Sequence, residues 1–212
     1  MKVKTKKILD ILKETYPDAK CELNYETPFQ LLVATVLSAQ TTDKKVNEVT
    51  KDLFSKYPDL DSFLDITSDE LEERIKKIGL YRNKTKNILM MVRQIKENFN
   101  GEVPNTMEGI TSLAGAGRKT ANVVLSNAFG VPSIAVDTHV KRVSIRLNIA
   151  KHNDDLLTIE KKLNKYFKNQ DLSRIHHQLV LFGRYYCKAI KPECMNCKLK
   201  DMGKYYKKSK KR

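Results

Sequence analysis

The chain has 212 residues, enough to bury one large core or two small ones. An apolar fraction of 41% beside 31% charged residues excludes a disordered chain, and no charge-free run of about 18 residues offers a membrane span. The 40 Lys and Arg outnumber 25 Asp and Glu, giving a net charge of +15, so a polyanion such as nucleic acid is the first partner to consider. No early segment has the form of a signal peptide, and the four cysteines, three of them crowded, do not read as a secreted disulfide framework. The chain reads as intracellular.

The periodicity is helical almost throughout, which predicts an all-α fold. In "TPFQLLVATVLSAQ" (27–40), Thr27 can cap, Pro28 suits the first helical position and Gln30 completes a capping-box pattern. Phe29, Leu32, Val33 and Val36 then predict one buried stripe. A second helix is expected from Ser68 to Ile78, stopping at Gly79, and another carries Ile88, Met91, Val92 and Ile95 on its apolar face. Further on, "SIAVD" (133–137) is apolar but too short and solitary to found a sheet. Leu156, Ile159, Leu163 and Phe167 mark one more helix. From Lys198 to Arg212 there are eight basic residues and one acid, a tail suited either to a phosphate backbone or to solubility.

The most informative stretch is "LAGAGRKTANVVLSNAFG" (113–130). Gly115 and Gly117 allow a tight turn with positive φ, and a helix starts at once, with Ala121, Val124, Leu125 and Ala128 as its inner stripe. A turn feeding a helix start aims backbone N–H groups and a positive dipole end at one point, which suits a phosphate, and Arg118 and Lys119 stand beside it. Asp137 in "VDTHVKR" reads equally as the N-cap of a following helix.

These segments resemble the endonuclease III family of helix-hairpin-helix DNA repair glycosylases. The hairpin "LAGAGRKTANVV" and the aspartate segment "AVDTHVKR" (135–142) carry the resemblance, and "LLVATVLSAQTTD" (31–43), "IGLYRNKTKNI" (78–88), "GEVP" (101–104) and "HHQLVLFGRYYC" (176–187) extend it in order along nearly the whole chain. The usual hairpin proline is replaced by Ala114. The resemblance implies a two-lobed fold: a six-helix barrel with the hairpin over 22–132, and a second helical domain from 1–21 plus 133–212 that holds the cysteine loop and basic tail. It implies Lys119 as nucleophile and Asp137 as the catalytic carboxylate. Such a pair supports base removal and strand cutting without a redox cofactor. Gln40 and Leu80 are implied to fill the space of an extruded base, with Asp43 near them, while Gly115, Gly117, Arg118, Lys188 and Lys191 approach the DNA backbone.

Possession of Lys119 implies a bifunctional glycosylase and apurinic/apyrimidinic lyase acting on oxidised pyrimidines. The partner expected is double-stranded DNA with a damaged base or an abasic site, met by a monomer, with no membrane involved. A non-catalytic helix-hairpin-helix DNA-binding module is the rival reading. Cys187, Cys194 and Cys197 match the family's C-x6-C-x2-C-x5-C pattern for a [4Fe–4S] cluster, but the fourth position is Gly203, so the usual thiolate set is incomplete. A structural zinc is the other reading of those thiolates. Asp201 is a nearby oxygen donor, and Cys21 a remote thiol.

Overall fold

The computed structural model describes residues 3–202; Gly203 and the rest of the basic tail lie outside the described residues. Eleven α-helices and no strands occur among them. The chain folds as two compact units, one formed by Cys21–Val131 and the other by residues before and after it.

The first unit is built around α2 (Pro28–Leu37), with α3 (Asp43–Lys56), α4 (Leu60–Asp65), α5 (Ser68–Ile75), α6 (Tyr81–Asn98), α7 (Met107–Thr111) and α8 (Arg118–Ala128). α2 packs on α3, α6 and α8, so Phe29 through Leu37 are all buried and the expected single stripe becomes a helix covered on every side. A helix with no polar face has nowhere else to go in water. Its start is capped as the sequence suggests, Thr27 Oγ1 accepting from the Gln30 N–H at 3.2 Å. Gln30, however, reaches one residue further back. Its Oε1 accepts from the Glu26 N–H at 2.9 Å, and its Nε2 donates to the Pro58 carbonyl at 2.9 Å. α5 ends at Ile75, short of the expected Ile78, because residues 76–79 tighten into a turn in which the Ile78 N–H reaches the Ile75 carbonyl.

The second unit comprises α1 (Val3–Thr15), α9 (Thr138–Arg146), α10 (Leu156–Tyr166) and α11 (Leu172–Tyr185). α11 lies between α9 and α1, and Gly183 permits the close approach to α9: a Cβ there would stand 2.8 Å from the Cβ of His139. Ile8, Leu12, Val140, Val143, Ile159, Leu163, Phe167 and Leu179 fill its core. Leu156 does not join them; it is exposed at the first position of α10, where the helix has not yet reached the core. Ile134 and Val136 of "SIAVD" are buried in this core as an extended connection with no strand partner.

Candidate nucleic-acid interface

In the helices from α2 to α11, eight N-termini are closed by a side chain: Thr27, Thr42, Asp59, Thr67, Thr106, Asp137, Asp155 and Asp171 each accept a backbone N–H of their own helix. The two exceptions are α6, which follows Leu80, and α8, which follows Gly117. Leaving a helix start uncapped forgoes roughly 1 kcal/mol and keeps its N–H groups available. Both exceptions fall where the sequence predicts contact with DNA.

At the α8 start, Gly115 takes φ +77°, while Gly117 is extended at φ −90°. The expectation of positive φ therefore holds for Gly115 alone. A Cβ on Gly115 would lie 2.9 Å from the Cβ of Asn87 on α6, so the hairpin turn needs glycine for both conformation and space. Gln94, also on α6, accepts the Ala114 N–H at 2.7 Å and donates to the Ser112 carbonyl. Gly117 has nothing within 4 Å of its would-be Cβ, which leaves room for a ligand backbone. Arg118 and Lys119 occupy the first two positions of α8 and are exposed. Of the expected inner stripe, Ala121, Val124 and Leu125 are buried and Ala128 is half-buried.

Gln40 and Leu80 share an unusual backbone. Six non-glycine residues have positive φ among those described; three are Asn, which tolerates it, and the others are Gln40, Leu80 and Lys191. All three are candidate DNA contacts, and each left-handed residue costs about 1–2 kcal/mol. Gln40 is exposed, as is Leu80 at 57%. The two turns adjoin, since a Cβ on Gly79 would lie 3.7 Å from the Gln40 carbonyl. Between them sits Lys84, 5% exposed, whose Nζ donates to the carbonyls of Leu37 at 2.8 Å and Ala39 at 2.6 Å and to Thr41 Oγ1 at 3.3 Å. Burial pushes its ammonium below the ordinary lysine range. Asp43 opens α3 after the Thr42 cap, half-buried and close enough to Cys21 to act on its charge. Burial, chiefly, pushes the Cys21 thiol up to about 11.

Lys84, Asn87 and Gln94 escaped the sequence reading. For Lys84 the sequence does hold a signal: four residues before Ile88, it lies on the apolar stripe of α6, where a lysine must find partners or unfold the stripe.

In the second unit, Asp137 caps α9, its Oδ1 accepting the Val140 N–H at 2.7 Å, and is half-buried. The cysteine loop follows α11. Burial raises the thiols of Cys194 and Cys197, and the charge of Cys187 adds to the shift of both. Two arginines of α9 grip this loop. Arg142 donates to the carbonyls of Cys187 at 2.8 Å and Gly183 at 2.7 Å; Arg146 donates to the carbonyl of Lys188 at 2.7 Å and reaches Cys187 Sγ at 3.4 Å. Lys191 is exposed at φ 47°, whereas Lys188 is engaged with Glu193 at 3.3 Å. No three His, Cys, Asp or Glu side chains among the described residues converge as a metal-holding group. Three thiols on one loop suit a soft metal but supply only three corners of a cubane site.

Residues 33–169 match the HhH-GPD superfamily base excision DNA repair protein family. Endonuclease III of Bacillus subtilis (strain 168) is 51% identical over 191 residues, covering 90% of this chain and 87% of that protein. Endonuclease III of Haemophilus influenzae is 47% identical over 204 residues, 96% of each. A solved structure titled as a trapped endonuclease III–DNA covalent intermediate superposes with a TM-score of 0.92 at 46% identity, covering 100% of both chains. With the family match spanning residues 33–169 and relatives this similar over nearly the whole chain, the chain belongs to the endonuclease III family of the HhH-GPD superfamily.

Proposed function

We propose that the protein is a bifunctional DNA glycosylase and apurinic/apyrimidinic lyase that removes oxidised pyrimidines from duplex DNA. The observation that carries this reading is the α8 start: an uncapped, glycine-bordered helix N-terminus with an exposed lysine at its second position, in a chain similar to one trapped covalently on DNA.

In the proposed mechanism the hairpin N–H groups and Arg118 hold a backbone phosphate. The amine nitrogen of Lys119 attacks C1′ of the damaged nucleotide, the N-glycosidic bond breaks, and the base leaves with a proton. The attached amine gives up a proton, the C1′–O4′ bond breaks as O4′ takes a proton to become a hydroxyl, and the nitrogen lone pair forms the Schiff base at C1′. This acidifies the C2′ proton; its removal expels the 3′ phosphate by β-elimination, and hydrolysis then frees the lysine. Asp137 stabilises the cationic character of the sugar as the base departs. Gln40 and Leu80 enter the space of the extruded base, the amide bonding the orphaned partner and the leucine wedging the stack.

The cysteine loop serves as a clamp that presents Lys191 and Lys188 to the DNA backbone. Cys187, Cys194 and Cys197 would supply three thiolates to a [4Fe–4S] cluster whose contribution is to hold the loop, and no chemical step depends on it. Iron with acid-labile sulfide in anaerobically purified protein would support a cluster held by these three thiolates; stoichiometric zinc without iron would exclude it.

Borohydride trapping on an abasic-site duplex tests the enzymatic reading. A covalent adduct that is lost in Lys119→Ala is expected. Tight DNA binding with no adduct in the wild type would leave a non-catalytic binding module.

A further inference from the structure

We propose that Lys84 is the positioning residue that fixes Gln40 and Leu80 for insertion into DNA, a role that rests on the assignment of those two residues as the inserting pair. Gln40 and Leu80 both hold left-handed backbone that their side chains disfavour, and neither is glycine or asparagine. Such conformations persist only where surrounding structure over-determines them. Gln40 lies just beyond α2, where backbone N–H donors run out for the final carbonyls of the helix. The Lys84 ammonium bonds one of them, Leu37, and then Ala39 and Thr41, so its three donors are spent on the two sides of Gln40.

The same residue is tied to the other turn through the main chain. The Lys84 N–H donates to the Leu80 carbonyl at 3.1 Å, the first bond of α6. Since Leu80 offers no side-chain cap, this bond helps fix the turn that presents its exposed side chain. A single buried cation therefore registers the two turns against each other. Its charge lies at the negative end of the α2 dipole, which offsets part of the burial penalty. A neutral side chain in this place would leave the buried Leu37 carbonyl unsatisfied and untie Ala39 and Thr41, and the turns would relax toward ordinary backbone.

The test compares Lys84→Met, Lys84→Arg, Thr41→Val, Gln40→Ala and Leu80→Ala in the full chain. Two probes separate insertion from chemistry: affinity for a duplex bearing a tetrahydrofuran abasic analogue, and borohydride trapping on a single-stranded abasic oligonucleotide, which offers no opposite base or stack to fill. Lys84→Met is expected to weaken duplex affinity about tenfold or more while single-strand trapping stays within about threefold of wild type. Lys84→Arg, which keeps the cation and its donors, is expected to recover most of the loss. In the Lys84→Met/Leu80→Ala double variant the losses should be less than additive, because Lys84 acts through Leu80. If Lys84→Met does not fold, Thr41→Val carries the test: a smaller loss confined to the duplex supports the proposal, and unchanged affinity overturns it. Full duplex affinity in Lys84→Met, beside losses in Gln40→Ala and Leu80→Ala, overturns the role of Lys84 alone. Equal losses on both probes would make Lys84 a general support of the fold and also overturn it. Unchanged affinity in Gln40→Ala and Leu80→Ala would instead remove the insertion assignment on which the proposal rests.

Discussion

Asp137 closes a helix start, and its proposed part in catalysis can be separated from that bond by a well-chosen substitution. Its Oδ1 closes the start of α9, a bond worth roughly 1 kcal/mol in a typical cap, and asparagine caps about as well as aspartate. Asp137→Asn should therefore keep its melting temperature nearly unchanged while base excision on a thymine-glycol duplex falls steeply. Asp137→Ala should lose both excision and about 1 kcal/mol of stability in a denaturant titration. An Asp137→Asn variant with full excision would confine the residue to its cap. At the hairpin, Gly115→Ala meets a positive φ and a contact of 2.9 Å with Asn87 together. Weaker binding to undamaged duplex is expected from it, with the loss read by fluorescence anisotropy.

At the level of the helices, stability rests on fully buried stripes joined by short capped ends. Leu163 of α10 and Leu31 of α2 are both completely buried in their units. Truncating either to alanine should cost about 2–5 kcal/mol by urea denaturation, whereas Leu156→Ala, on the exposed end of α10, should change little. α3 and α5 are linked by Glu70, which accepts from Lys56 at 2.7 Å and from Arg74 at 3.2 Å. The hydrogen bond from Lys56, foremost, pulls the Glu70 carboxyl down to about 2. A carboxylate with a depressed folded pKa stabilises above its unfolded value near 4.5 and loses that contribution as pH falls toward 2. Wild type should thus melt above Glu70→Gln at pH 7, and the gap should close between pH 4.5 and 2.

For the whole molecule, a charge of +15 predicts DNA affinity that falls steeply with salt. Each neutralised phosphate contributes a slope of roughly −0.9 in a log–log plot of affinity against salt. Lys191→Gln should reduce that slope by about one. Lys188→Gln should reduce it by less, because Glu193 already competes for the Lys188 ammonium. Identical slopes for wild type and Lys191→Gln would remove the cysteine loop from the binding surface. The loop itself is gripped by Arg142 and Arg146 through main-chain carbonyls, contacts that involve no metal.

Much of this protein was legible in its residues alone. The 3.6-residue stripes announce an all-α chain, Thr27 and Asp137 announce helix starts, and the hairpin "LAGAGRKTANVV" announces a glycine turn that opens a helix at Arg118 and Lys119, because these are local properties of backbone and side chain. Local pattern did not disclose that α2 is covered on every side, that Gln30 bonds Glu26 and Pro58, or that Gly117 is extended. Nor did it disclose that Lys84 bonds carbonyls 47 and 45 positions away along the chain. Those facts depend on which segments meet after folding, and only there does a buried ammonium find carbonyls from another helix to replace the water it has lost.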